Sequence, residues 1–198
     1  MKIVDLYFDF MSPFAYLAAS QLPRLAAKYE GRARFDLHAI DLIAARFKAG
    51  NNGPFNRDQP AKMKALMMDL NRWAKRYGVP FVFPKGLDTK RLNRGWIVAA
   101  ARGRGDAFVQ AAFDAVWGRG GDPASTELHA EVARACGLAP EELVTAIDSA
   151  EIVGAYDREN EAAQARGVFG VPIFLVDEQI YWGNDRIEFL EEYLDGSR

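Results

Sequence analysis

Two short α/β patterns stand near opposite ends of the chain, with a long helical stretch between them. Residues 2 to 10 have the apolar density of a mostly buried strand, a helix follows to about Tyr29, and residues 32 to 40 form a second strand pattern. From about 89 to 166 every pattern is helical, and two short strands around Asp177-Glu178 then lead into a closing helix. One small sheet unites the two ends if the helices between them are an insertion that packs as a lid. The sequence therefore predicts an α/β fold interrupted by a large all-helical insertion.

Composition narrows the range of partners. The 198 residues are 49% hydrophobic, which is enough to bury a sizeable core. The formal net charge of -2 provides no field that would attract nucleic acid or an anionic membrane. No apolar run approaches the roughly 18 residues of a membrane span, and MKIVDLYFDF lacks the features of a secretory signal. We therefore expect a cytoplasmic protein that binds neither nucleic acid nor membrane.

Cys136 is the only cysteine in the sequence. It cannot form an internal disulfide, and its neighbours in ARACGLAP have the pattern of the buried face and end of a helix. We expect a small core residue rather than a nucleophile. The sequence also lacks the H-E-x-x-H motif of zinc sites, and we expect no metal.

The corner after the first strand reads DFMSPFAYLA. Pro13 suits the first position of a helix, and Ser12 then stands at the N-cap. This arrangement has two interpretations. Ser12 is either a simple cap, or a hydroxyl that donates a hydrogen bond to an anion such as a thiolate at the start of the helix.

A second corner precedes the C-terminal strands, in GVFGVPIF. Val171-Pro172 lies where a cis peptide bond would turn the Val171 peptide groups toward a cleft, available to pair with an extended backbone. The alternative is a proline that simply begins a strand.

Several segments together resemble a known family. They are FDFMSPFAYLA, GNNGPFNRD, DLNRWAKRYGVPFVFP, FDAVWGRG and VFGVPIFLVDEQIYWGNDR, in the expected order over nearly the whole chain. The sequence is similar to the thioredoxin-like kappa-class glutathione transferases, and more closely resembles the 2-hydroxychromene-2-carboxylate isomerase family. The resemblance implies a thioredoxin-like fold of the DsbA and kappa-class type. Residues 1–44 and 167–198 would form the thioredoxin-like domain, and residues 45–166 the helical insertion domain.

The resemblance also explains the missing cysteines at the first corner. Disulfide oxidoreductases of this fold carry C-x-x-C there, whereas this chain has Ser12, Pro13, Phe14 and Ala15. Thiol–disulfide exchange is excluded without those cysteines, and the family implies that glutathione supplies the sulfur, with Ser12 as the catalytic residue that stabilises its thiolate. Ala15 departs from the serine expected at that position, so no second hydroxyl is predicted.

The family implies further binding residues. The cysteinyl backbone of glutathione would pair with Val171 beside Pro172, and its γ-glutamyl end would reach the segment WGND. The glutathione-binding residues expected on this basis are Val171, Pro172, Trp182, Gly183, Asn184 and Asp185. Capping of the last helix is an equally simple role for Asn184 and Asp185, and Trp182 suits either the site wall or the core.

The second substrate is expected to be a small aromatic carboxylate that meets the insertion. The candidates for contacting it are Asn51, Asn52, Asn56, Lys62 and Asp88. Each also fits a plain turn, helix start or surface position. The family reaction interconverts 2-hydroxychromene-2-carboxylate and trans-o-hydroxybenzylidenepyruvate through reversible thiolate addition, and the family implies a homodimer.

Two other functions remain open from the sequence. One is a kappa-class-like transferase that leaves glutathione attached to an electrophile. The other is a non-catalytic thioredoxin-like binding module, for which Ser12→Ala would leave ligand binding and any assayed function unchanged.

Overall fold

The computed structural model describes residues 1–196, apart from the side chain of Arg57. Its centre is a four-stranded sheet in the order β2-β1-β3-β4, formed by β1 Lys2–Phe8, β2 Ala33–Ala39, β3 Ile173–Val176 and β4 Gln179–Trp182. β1 and β2 are parallel, while β3 is antiparallel to both β1 and β4. The two ends of the chain thus complete one sheet, which confirms the predicted fold class.

The helices surround this sheet, and most of them lie between β2 and β3 in the chain. They are α1 Pro13–Ala19, α2 Leu22–Lys28, α3 Leu42–Lys48, α4 Pro60–Tyr77, α5 Lys90–Ala101, α6 Gly105–Phe113, α7 Thr126–Ala135, α8 Pro140–Ala146, α9 Ala150–Ala165 and α10 Ile187–Leu194. Single 3₁₀ turns occupy Asn56–Asp58 and Asn184–Arg186, and a π-helical segment, Asp114–Gly118, continues α6.

Three local predictions differ from the structure. The single helix predicted to Tyr29 is wrong, because Pro23 has no N–H and its ring excludes a continuous helix, so α1 ends at Ala19 and α2 follows. The predicted first strand stops at Phe8 rather than at residue 10. Helix α3 was not predicted, although Asp41 caps it by accepting the Ala44 N–H at 2.9 Å.

The helical insertion packs on the end of β1 through aromatic side chains. Phe8 contacts the rings of Trp96 and Phe113 at centroid distances of 5.6 and 5.9 Å, and Phe10 contacts Phe113 at 4.7 Å. Phe8 and Phe10 are fully buried, and burial of each such ring contributes about 1.5–3 kcal/mol. The chain segment that leads to Ser12 is therefore fixed between the sheet and the insertion.

Cys136 lies in the core as predicted, with 5% of its surface exposed and its Sγ 3.0 Å from the carbonyl of Val132. Across residues 1–196, none of the helices combines the length and apolar character that crossing a bilayer requires. The division at residues 44/45 and 166/167 stays a prediction. Its first boundary falls within α3, and residues 197 and 198 lie outside the described residues.

Candidate functional site

Ser12 stands where the corner after β1 becomes α1. Its backbone is extended, with φ -94° and ψ 116°, and its Oγ accepts the Ala15 N–H at 3.2 Å, so it is the N-cap that the sequence predicted. The Ser12 N–H donates to the carbonyl of Asp9 at 2.9 Å, and only 5% of the residue is exposed. Within residues 1–196, the Ser12 hydroxyl donates no hydrogen bond. That proton is available to a ligand.

Side chains of the insertion hold the backbone just before Ser12. The Phe10 carbonyl accepts the Trp117 Nε1–H at 2.8 Å, and the Phe10 N–H donates to Asn93 Oδ1 at 3.3 Å. Trp117 lies in the π-helical segment, a distortion that often occurs at functional sites. The corner is therefore rigid, because both polar groups of the Phe10 backbone have partners outside the sheet.

The Val171-Pro172 peptide bond is cis. Tyr7 is opposite Ile173 in the sheet, so the residues just before β3 lie beside the residues just after β1. The Pro172 carbonyl accepts the Gly183 N–H at 2.9 Å. In the described part of the chain, the backbone N–H and C=O of Val171 make no hydrogen bond, which leaves them able to pair with an extended ligand.

The end of β4 adjoins the same corner. Trp182 is 58% exposed and packs edge-on against Phe169 at 5.1 Å. Gly183 has φ 112°, a conformation that favours glycine. It leads into Asn184, which is 1% exposed and whose carbonyl accepts the Tyr77 hydroxyl at 3.2 Å. The 3₁₀ turn Asn184–Arg186 also contacts α1.

Asn184 carries an unusual buried group. Its Nδ2 is inaccessible to water and has no hydrogen-bond partner among residues 1–196. Native proteins contain few such atoms, and they often mark ligand or water positions. Asn184 and Asp185 line an open groove of about 240 Å³ between α4 and the start of α10. Ser12 does not line that groove.

The predicted substrate residues have no hydrogen bond to these groups in the described part of the chain. Asn51 and Asn52 are exposed in the loop after α3, Asn56 is in the following 3₁₀ turn, and Lys62 is in the first turn of α4. Arg46 organises this loop: its guanidinium donates to the carbonyl of Asn51 at 3.1 Å and to that of Gly53. No hydrogen bond joins the four residues to Ser12 in the part of the chain that the structure describes.

Asp88 is exposed, but the next residue, Thr89, reaches the corner. Thr89 Oγ1 donates to the buried carboxylate of Asp9 at 2.6 Å. Sequence reasoning missed Asp9, Thr89, Asn93 and Trp117 as site residues. Asp9 looked like one polar position in an alternating strand, and nothing in the local patterns connected it with residues 80 or more positions away.

Comparisons with known proteins identify the family of the chain. The family model described as DSBA-like thioredoxin domain matches residues 3–195 of this sequence. A protein from Sphingobium xenophagum called 2-hydroxychromene-2-carboxylate isomerase is 41% identical over 193 residues, which are 98% of each chain. The chain belongs to the 2-hydroxychromene-2-carboxylate isomerase family. This confirms the resemblance found in the sequence.

A solved structure and a more distant relative are also similar to this chain. A solved 2-hydroxychromene-2-carboxylate isomerase structure superimposes with a TM-score of 0.93 at 39% identity, covering 98% of this chain and 94% of that one. A Caenorhabditis elegans protein called glutathione S-transferase kappa 2 is 25% identical over 209 residues, covering 98% of this chain and 92% of its own. The chain thus has the fold of a solved member of its family and is distantly similar in sequence to a protein of the kappa class.

Proposed function

We propose that this protein is a glutathione-dependent isomerase that interconverts 2-hydroxychromene-2-carboxylate and trans-o-hydroxybenzylidenepyruvate in aromatic catabolism. Relatives of that name match over almost the full length of the chain at 41% identity. The observation that carries the proposal is Ser12, a buried cap whose hydroxyl proton has no acceptor within residues 1–196. It stands where oxidoreductases of this fold have a reactive cysteine.

The reaction needs a sulfur that the chain does not supply. The one cysteine, Cys136, is buried, and burial raises the pKa of its thiol. The distant kappa-class relative supports glutathione as the source of the sulfur. Glutathione, when bound, would provide a thiolate whose reversible addition turns a conjugated double bond of the substrate into a single bond that can rotate, and whose elimination restores the double bond and free glutathione. Ser12 would hold that sulfur with a hydrogen bond from its hydroxyl group. Such a bond is stronger than one between neutral groups, because the acceptor is charged.

The Val171 backbone fits the main chain of a tripeptide. Its N–H and C=O are unpaired within residues 1–196, next to the turn that the Pro172 carbonyl and the Gly183 N–H close. A strand-like pair of hydrogen bonds would hold the cysteinyl residue of glutathione. The Gly183 N–H already pairs with the Pro172 carbonyl, so Gly183 supports this turn, and the exposed indole of Trp182 would cover the tripeptide.

Asn184 and Asp185 suit the γ-glutamyl end. The unpaired Nδ2 of Asn184 is a donor for the carboxylate of glutathione, and the Asp185 carboxylate is a partner for its ammonium group. Asp185 presently pairs with Arg186 at 2.8 Å. Both residues line the 240 Å³ groove, and the buried Nδ2 of Asn184 would have to turn toward it to meet a ligand.

The substrate would enter from the side of the insertion. We retain Asn51, Asn52, Asn56, Lys62 and Asp88 as candidates for its carboxylate and phenolic oxygens. Asp88 has the best support, because the adjacent Thr89 is tied to the Ser12 corner. The two-domain division at 45–166, a homodimer, and a cytoplasmic location, where glutathione is held reduced, are part of the same proposal.

One assay separates the three candidate functions. Purified protein is mixed with 2-hydroxychromene-2-carboxylate, with and without glutathione, while the absorbance of the benzylidenepyruvate is followed. We expect isomerisation that requires glutathione and consumes none of it. A conjugate formed in stoichiometric amounts would favour the kappa-type transferase. Binding of glutathione without turnover of either kind would favour the binding module.

A further inference from the structure

We propose that Asp9 is a positioning residue for this reaction. Its buried carboxylate ties the Ser12 corner to the starts of α3 and α5 and thereby fixes the position of the Ser12 hydroxyl. The inference rests on the proposed function, since it concerns the group that holds the glutathione sulfur. Asp9 itself is 2% exposed and stays behind the corner, so its role is exerted through Ser12.

The carboxylate of Asp9 accepts hydrogen bonds from four donors in three segments of the chain. Oδ1 accepts the Met11 N–H at 2.9 Å, Asn93 Nδ2 at 2.9 Å and Thr89 Oγ1 at 2.6 Å. Oδ2 accepts the Leu42 N–H at 2.9 Å, at the first residue of α3. One side chain therefore connects the corner itself, α3, and both the cap and the first turn of α5.

This set of partners suits an ionised carboxylate. The donors from Met11, Leu42 and Asn93 are N–H groups that cannot accept a proton from Asp9. The 2.6 Å contact with Thr89 has the length of an O–H donor facing a charged oxygen. Burial dominates and raises the pKa of Asp9 above its ordinary value, and the four hydrogen bonds offset only part of that rise, so the charged form depends on all four donors. A neutral amide at this position could not satisfy all four donors.

Two groups of Asp9, its side chain and its backbone carbonyl, hold the backbone of the corner. Its side chain holds the Met11 N–H, and its own carbonyl accepts the Ser12 N–H at 2.9 Å. Asn93 reinforces the arrangement by accepting the Phe10 N–H at 3.3 Å while donating to Asp9. If the carboxylate is lost, the backbone from residue 9 to 12 loses the restraint on the Met11 N–H and the link to α3, although Trp117 still holds the Phe10 carbonyl. A displacement of about 1 Å in a reacting group costs on the order of 100-fold in rate.

The experiment compares three variants. Asp9→Asn is nearly isosteric and leaves the Leu42 N–H facing an amide nitrogen. Thr89→Val removes one of the four donors to Asp9 and keeps the shape of the side chain at position 89. It provides the test of the inference if Asp9→Asn does not fold. Asp5→Asn is the matched control, because Asp5 is a carboxylate of β1 four residues before Asp9, pairs with His38 and Arg166 at 2.9 and 2.8 Å, and has no hydrogen bond to the corner among the described residues.

Two readouts are taken on each folded variant. The first is kcat and the KM for glutathione in the isomerase assay. We expect kcat to fall about 10- to 100-fold in Asp9→Asn and less in Thr89→Val, with KM changed by less than about threefold. The second is hydrogen exchange of the Met11 and Leu42 amides, which should accelerate in Asp9→Asn and stay slow in Asp5→Asn.

The outcomes are distinct. The inference is overturned if folded Asp9→Asn keeps the wild-type kcat, or if Asp5→Asn causes an equal loss, which would indicate general loosening. Unchanged exchange at Met11 and Leu42 in Asp9→Asn also overturns it. If the wild-type protein has no isomerase activity, the proposed function fails, and the exchange measurements alone then decide whether Asp9 fixes the corner.

Discussion

The replacement Ser12→Ala should raise the pKa of the thiol of bound glutathione by about one to two units. A hydrogen bond to a charged acceptor contributes about 1.5–3 kcal/mol, and one pKa unit corresponds to about 1.4 kcal/mol. The start of α1 adds little, because the helix has seven residues, Pro13 has no N–H, and the N–H of Ala15 is already donated to Ser12. At a given pH the ratio of thiolate to thiol should therefore fall roughly 10- to 100-fold.

The control for this prediction is Ser149→Ala. Ser149 caps α9 by accepting the Ile152 N–H at 3.3 Å, a contact almost identical to that of Ser12 with Ala15 at 3.2 Å. Loss of either cap should lower the free energy of unfolding by about 1 kcal/mol. Only Ser12→Ala should change the thiol. The two variants thus separate the capping role of a serine from its role toward a ligand.

The assay is a pH titration of the ultraviolet absorbance of thiolate with glutathione bound to wild type, Ser12→Ala and Ser149→Ala. Denaturant unfolding of the same samples measures the cap contribution. The reasoning is refuted if Ser12→Ala binds glutathione with the wild-type thiol pKa. It is equally refuted if Ser149→Ala shifts that pKa as far as Ser12→Ala does.

Two further predictions concern stability. Burial lowers the pKa of His38, but hydrogen bonds to Glu159 and Asp5 outweigh it and raise the pKa above 6.5. The stabilisation is complete below pH 6.5 and is lost as the pH rises through the folded-state pKa, so the advantage of wild type over His38→Asn in denaturant unfolding should shrink with increasing pH. In α5, a Cβ on Gly95 would lie 3.0 Å from Phe108 Cζ. Gly95→Val should therefore lower the free energy of unfolding by about 1–3 kcal/mol, and a thermal scan showing no loss would contradict this.

Short-range patterns were sufficient for the elements that carry the site. The Ser12 cap followed from Ser-Pro after an apolar strand, and the pair β3 and β4 followed from the change of period around Asp177. The same rules contained the signals for two errors. Pro23 should have ended the first helix, and Asp41 should have indicated the start of α3, since both residue types have well-defined positional preferences.

The restraint on Ser12 could not be predicted in this way. The donors to Asp9 come from Leu42, Thr89 and Asn93, which are 33, 80 and 84 positions further along the chain. An aspartate in an alternating segment has the same local pattern whether it faces water or a buried network. This also explains why β1 stops at Phe8, since Asp9 turns inward to the insertion instead of continuing the ladder. The insertion therefore does more than cover the sheet, because its polar side chains determine the geometry of the corner on which the proposed chemistry depends.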